Sequence, residues 1–205
     1  YFMDDNLLGK KNKIKVISYL KKEIKKFDTV ILIDYGHGFI DYDIYKILKQ
    51  KAKFLSINCQ SNSANLGFNL ITKYPKSDFI CIDEPELRLA ASDNITDIEK
   101  IVSKKIIKKI NCKNITITRG RKGSFSFLNS KKINTPALIS DKVIDTIGAG
   151  DVFLGITSLL YSNKSDQLVT NIIGNIAGAL KVDILGHSKS ISRSNFYAVL
   201  NHLLK

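Results

Sequence analysis

The sequence predicts an α/β protein, a three-layer α/β/α sandwich built around a mainly parallel sheet. Three observations carry that expectation. Short apolar runs of strand length recur along the chain. Between them lie segments whose apolar residues repeat every three or four positions, the spacing of one helix face. The run from Thr29 to Asp34 is continuous rather than alternating, as expected of a strand covered on both faces. Regular strand–helix alternation of this kind builds a parallel sheet sandwiched by helices.

Taken in order, Ile14, Ile17, Leu20, Ile24 and Phe27 predict a one-faced amphipathic helix with lysines outside. Thr29 to Asp34 is a buried strand, and the loop Tyr35-Gly36-His37-Gly38 leads to a helix over Tyr42 to Lys51. A strand over Lys53 to Asn58, a short helix over Ala64 to Thr72 and a strand over Asp78 to Asp83 follow. Ile95, Ile98, Val102, Ile106 and Ile110 mark another helix, and Asn114 to Thr118 another strand, closed by the turn from Arg119 to Gly123. Ser124 to Leu128 and Lys131 to Thr135 pair as a hairpin. Gly148 to Tyr161, Asp166 to Val182 and Ser192 to Leu204 are helical. Ligands of such sheets sit beyond the carboxyl ends of the strands, which places Asp34, Asn58, Asp83 and Thr118 along one edge.

At 205 residues and 44% hydrophobic content, the chain can build one substantial core, so residues 1–205 are expected to form a single domain. No apolar run approaches a membrane span. The opening Tyr1-Phe2-Met3-Asp4-Asp5 resembles no signal peptide and lacks an initiator Met, which suggests a piece of a longer protein. Cys59, Cys81 and Cys112 form no CxxC or Cys/His cluster, so structural zinc is not expected. Buried free thiols and a reducing cytoplasm fit them better. The net charge of +13 raises nucleic-acid binding. Only four of the 32 basic residues are arginine, and the lysines spread over helix surfaces without interleaved aromatics. That pattern argues against a nucleic-acid partner and for a general attraction towards anionic ligands.

The chemistry concentrates in Asp145-Thr146-Ile147-Gly148-Ala149-Gly150-Asp151, which opens an apolar helix. Small residues at a helix start leave backbone N–H groups uncovered, and with the helix dipole they bind anions. An Asp within such a site makes sense as the base for an attacking hydroxyl, with the amides on the phosphoryl group in transfer. The plain alternative is a Gly-rich helix entry in which Asp151 only stabilises the first turn. A second segment, Asn58 to Asn69, is rich in amides and hydroxyls. It suits either a polyhydroxylated ligand or a flexible polar loop.

The string DTIGAGD resembles the C-terminal signature of the ribokinase-like, PfkB carbohydrate kinases, and the resemblance runs in order along most of the chain. Ile33 to Gly38 is similar to the SDYxKG segment of the heptose-phosphate kinase branch, with His37 in place of Lys. Asp83-Glu84-Pro85-Glu86 resembles NxxE with Asp83 for Asn, and Thr118 to Gly123 resembles TxGxxG. The resemblance implies ATP-dependent phosphorylation of a sugar or sugar-phosphate hydroxyl, with heptose phosphate the first candidate. It implies Asp151 as base and Gly148, Ala149 and Gly150 as charge-stabilising amides. Thr118, Gly120, Gly123, Asn175, Asp83 and Glu86 would border ATP, and Glu86 would hold Mg2+ through water. Asp34 and Gly36 would face the substrate. Asp145, Thr146 and Gly186 would hold a monovalent cation such as K+. It further implies a chain matching the C-terminal two thirds of such a kinase, lacking the first strands and the β lid through which relatives form homodimers. Against these roles stand ordinary ones: Asp34 and Asp83 as helix caps, Asn175 as a polar helix residue. A noncatalytic nucleotide- or sugar-binding regulator on the same fold is the main rival to an enzyme.

Overall fold

The computed structural model describes residues 8–63, 65–138 and 143–203. Six strands, β1 (Val30–Asp34), β2 (Leu55–Cys59), β3 (Phe79–Asp83), β4 (Asn114–Thr118), β5 (Ser124–Leu128) and β6 (Lys131–Thr135), lie in chain order in one sheet. β1 to β3 are parallel, with Asp34 opposite Cys59, whereas β5 and β6 are antiparallel. The α/β class and the mainly parallel sheet are therefore as expected. The chain divides into two compact units, residues 1–115 and 116–205.

In the first unit β1, expected to be buried, is only half-buried apart from Leu32 and Asp34, whereas β2 and most of β3 are buried. β2 is covered along its whole length, and Ile57, Phe79, Ile80 and Ile115 are fully inaccessible. Each such side chain contributes about 1.5–3 kcal/mol by leaving water. Helix α2 (Tyr42–Lys51) starts at Asp41, whose carboxylate accepts the Ile44 N–H at 3.0 Å. It buries Ile44, Tyr45 and Leu48. Tyr45 satisfies its buried hydroxyl on Lys76, donating to the carbonyl at 2.7 Å and accepting from the amide at 2.9 Å. Helix α3 (Glu84–Ala91) opens with a capping box, Asp83 accepting from the Glu86 amide and Glu86 from the Asp83 amide.

Three expectations here need correction. The first helix, α1, runs over Lys10–Glu23 and buries none of its residues; of the expected stripe only Ile24, in the 3-10 turn that follows, is buried, while Ile14 and Phe27 stay exposed. Periodicity gives an apolar face but not what covers it. The short helix expected over Ala64 to Thr72 is a set of turns ending in one 3-10 turn, Ile71–Lys73. Ala64 itself lies outside the described residues. Asn62, Asn65 and Asn69 spend their side chains on backbone groups here, which competes with helix formation. Ile95 does not belong to the helix over 98–109, called α4, which buries Ile98, Ile101, Val102 and Ile106 and is π-helical over Ile101–Ile106. Asp93 holds Ile95 and Thr96 in a turn through their amides, and Asp97 then caps the helix. None of the three cysteines is in a disulfide, and all are buried.

In the second unit, β5 and β6 join through Asn129 and Ser130, both at positive φ, the pair of left-handed residues a two-residue hairpin turn requires. Gly123, at φ +81, begins the hairpin. A Cβ there would overlap the Thr135 carbonyl oxygen and lie 2.6 Å from the Ala137 amide nitrogen. Backbone cannot give way cheaply, so Gly123→Ala is expected to destabilise by about 3 kcal/mol. A urea midpoint unchanged from wild type would contradict this reading. Helices α5 (Ala149–Ser162), α6 (Gln167–Val182) and α7 (Arg193–Leu203) complete the unit. Gly174 lets α6 close on α5, since a Cβ there would sit 2.6 Å from the Phe153 ring and 2.7 Å from the Thr157 methyl. Buried Gln167 and Asn171 of α6 reach Ser126 of β5 at 2.9 and 2.6 Å. Among the described residues, no helix is long and apolar enough to cross a membrane.

Candidate active site

In the second unit, residues 144–151 form a backbone-held approach to α5. The amides of Ile144 and Asp145 donate to the Val182 carbonyl at 2.8 and 3.0 Å, so the end of α6 anchors the loop. The Asp145 carboxylate accepts the Ile147 amide at 2.9 Å and the Gly186 amide at 2.8 Å. Those two amides, with the Lys181 and His187 charges adding, hold its carboxyl below the usual range. Gly148 is the helix N-cap at φ +80, a conformation that favours glycine. No side chain caps this helix end. Ala149 donates its amide to the Thr146 carbonyl at 3.3 Å, and Val152 donates to Gly148 at 3.1 Å. Gly150 and Asp151 follow in the first turn, where amides have no intrahelical acceptor. Asp151 is half-buried there. The arrangement can present backbone N–H groups to an anion with a carboxylate beside them.

The turn expected after β4 is present. Thr118 ends β4, Gly120 lies at φ +53 in a 3-10 turn, and Arg119 donates its amide to the Gly123 carbonyl at 2.8 Å. Asn175 spends its amide on the carbonyls of Pro136 at 2.9 Å and Thr135 at 3.4 Å, fastening the chain after β6.

In the first unit, the carboxyl ends of β1 and β3 carry the other expected residues. Glu86 receives the Asp83 amide on one oxygen at 2.9 Å and the Ser61 amide on the other at 3.2 Å. Carboxylate oxygens accept more than one bond, so Glu86 can still receive water from a metal's hydration shell. Among the described residues no group of three acidic, His or Cys side chains forms a direct metal cage. The spare lone pairs of Glu86 are what a water-mediated contact to magnesium would use.

Asp34 is only 3% exposed. Its carboxylate accepts from the Tyr74 hydroxyl at 2.6 Å and the Gly36 amide at 2.9 Å, and it is paired with the Lys73 ammonium. Burial first, and the Asp34 carboxylate second, push the Tyr74 phenol up. Burial likewise pushes the Cys59 thiol up. Lys73 also bonds the Asn69 amide oxygen. Asn62 and Asn65 donate to the Tyr35 carbonyl at 3.1 and 2.9 Å, and Asn69 to the Asp34 and Gln60 carbonyls at 3.0 and 2.9 Å. A Cβ on Gly36 would collide with the Asn65 amide. The polar segment therefore clamps the loop after β1 rather than hanging free. Asn58 turns into the sheet, donating to the Cys81 carbonyl at 2.9 Å.

Three residues of this chemistry are absent from the sequence reading. Lys73 and Tyr74 carry no motif and become visible only by contact. Lys181 had a signal: it continues the small-residue stripe of Gly174 and Gly178 at helical spacing, where a lysine is out of place. It is 5% exposed and donates to the Gly186 carbonyl at 3.0 Å and the Ile184 carbonyl at 3.4 Å.

A mainly parallel α/β sheet and a glycine-capped helix entry carrying a carboxylate define the class as ribokinase-like. The profile of the pfkB family carbohydrate kinases matches residues 9–183, and the chain belongs to that family. Among curated proteins, the Bifunctional protein HldE of Koribacter versatilis is 25% identical over 174 residues, which are 84% of this chain and 35% of that protein. The Bifunctional protein HldE of Campylobacter jejuni serotype O:2 is 27% identical over 181 residues, 87% of this chain and 38% of its own length. This chain thus spans little more than a third of those relatives. Among solved structures, Arabidopsis thaliana ribokinase complexed with ribose and ATP matches with a TM-score of 0.70 at 18% identity, over 95% of this chain and 60% of that one. Escherichia coli phosphofructokinase-2 in complex with potassium matches with a TM-score of 0.76 at 12% identity, over 97% and 64%. These last two likenesses concern the fold alone.

Proposed function

We propose that the chain is a single kinase domain that transfers the γ-phosphoryl group of ATP to a hydroxyl of a sugar or sugar phosphate, heptose phosphate foremost. The carrying observation is the carboxylate of Asp151 in the first turn of α5, behind the left-handed Gly148. In the reaction the acceptor oxygen bonds to the γ-phosphorus, the bond from that phosphorus to the β,γ-bridging oxygen breaks, and ADP leaves. Asp151 takes the hydroxyl proton. The first-turn amides, Gly150 foremost, stabilise charge developing on the phosphoryl oxygens. Thr118, Gly120 and Gly123 border the nucleotide phosphates. Magnesium on ATP would neutralise phosphate charge, with Glu86 as the residue to hold its water. Heptose phosphate is favoured by the HldE relatives and by the Asp34-Tyr35-Gly36 segment.

The test is an ADP-release assay with ATP against a panel of sugars and sugar phosphates that includes heptose phosphates. Acceptor-dependent ADP supports the reading. ATP binding with no acceptor-dependent ADP would overturn it in favour of a noncatalytic nucleotide binder. Glu86 offers a sharper check. Glu86→Gln keeps a capping-box partner, since Gln serves there as well as Glu. Its Tm should stay near wild type while the Mg2+ concentration for half-maximal turnover rises. A fall in Tm with unchanged Mg2+ dependence would reduce Glu86 to a helix cap.

A further inference from the structure

The residues expected to hold a potassium ion do not fit one. Such a site needs a carboxylate and several carbonyl oxygens facing a common centre that no other cation already fills. Here both Asp145 oxygens receive backbone amides, from Ile147 and Gly186. The Thr146 carbonyl receives the Ala149 amide. The Gly186 carbonyl receives the Lys181 ammonium at 3.0 Å, and the Ile184 carbonyl receives the same ammonium at 3.4 Å.

Lys181 is not on the surface by accident of a long side chain; it is 5% exposed, at the end of α6. The stripe that carries it, Gly174 and Gly178, brings α6 against α5, so its Cε lies 3.3 Å from where a Gly148 Cβ would be. The ammonium thus sits beneath the N-cap of the helix that bears Asp151. A buried charge is tolerated only where oxygens receive it, and the two carbonyls supply that. An ammonium and a potassium ion are alike in charge and in their preference for carbonyl oxygens. The field of Lys181 also reaches Asp145, adding to the amides that keep its carboxyl ionised.

We propose that the Lys181 ammonium takes the place of a monovalent cation beneath the 145–151 loop, so that this chain needs no K+ to hold that loop. The consequence for nucleotide handling rests on the kinase reading; the loop's indifference to K+ does not. The chain supplies by a covalent side chain what would otherwise be recruited from solution, and the loop geometry becomes independent of salt composition.

The experiment follows Tm without nucleotide, and ATP affinity by calorimetry, across a KCl series at constant ionic strength with tetramethylammonium chloride as the replacement. Wild type should show no K+-specific change in either. Lys181→Met should acquire one: a saturable rise in Tm with K+ and about tenfold tighter ATP binding in K+ than in tetramethylammonium. A variant that folds only with K+ present counts as the same acquisition. A saturable, K+-specific rise in the Tm of wild type overturns the proposal, and so does a folded Lys181→Met chain indifferent to K+. Should wild type bind no ATP, the kinase reading fails, while the Tm series still decides the role of Lys181.

Discussion

Asp151→Asn is expected to lower acceptor-dependent turnover by about 10³-fold while leaving the ATP Kd unchanged. The amide cannot take the hydroxyl proton, but it matches the carboxylate in shape. The first turn of α5 is entered through the left-handed Gly148, and Val152 closes it onto the Gly148 carbonyl. Tm measured beside turnover separates chemistry from folding. Equal Tm values with lost turnover would mark a base. Retained turnover would return Asp151 to the role of a helix-terminal charge, for which loss should cost only about 0.3–1 kcal/mol of stability. ATP binding measured in parallel distinguishes a missing base from a damaged phosphate site.

Asp34→Ala is expected to destabilise the protein by about 3 kcal/mol, read as a lowered urea midpoint with an unchanged m-value. The carboxylate is buried, and its removal strands the Tyr74 hydroxyl and the Gly36 amide while leaving Lys73 without its counter-charge. Lys73 is partly exposed and can reach water, which keeps the cost at the lower end for a broken buried pair. Asp34→Asn retains an acceptor for Gly36 and loses only the charge, so it should cost less. Both variants should raise the sugar KM by loosening the loop from Tyr35 to Gly38 that the Asn65 and Asn69 side chains fix. A direct substrate contact makes the opposite pattern: Asp34→Asn as folded as wild type and without turnover. Asp34 is in this reading a positioning residue, one step behind the substrate.

Much of the fold was legible because local rules agree with it. The runs expected at β2 and β3 became strands buried along their length except for Asp83, and the hairpin fell on the residues expected. Where the sequence reading failed, side-chain chemistry outvoted periodicity. Asparagines at 62, 65 and 69 took backbone partners and kept the chain from a helix, and α1 formed without burying its stripe. The loop from Asp145 to Asp151 was legible as a glycine-led helix entry, since glycine position and a following apolar helix are local facts. Asp34 was legible as a residue at a strand end and not as a buried one, because its partners at Lys73 and Tyr74 lie some forty residues on.

By itself the sequence determined the α/β class, the succession of most elements along the chain and the placement of Asp151 at a helix start, all properties of short-range spacing. Only the tertiary structure decided which polar groups are spent internally. Hydrogen bonds between distant segments commit Asp34, Asn69 and Asn175, and those depend on which segments lie side by side; Lys181 is committed by the turn after its helix, which brings the Gly186 carbonyl back to it. In sequence Lys181 is one of 32 basic residues, set apart only by its place after Gly174 and Gly178; against the Gly186 carbonyl it becomes a fixed charge under the loop. Burial made the difference, since a charge out of water acts only through the groups that touch it.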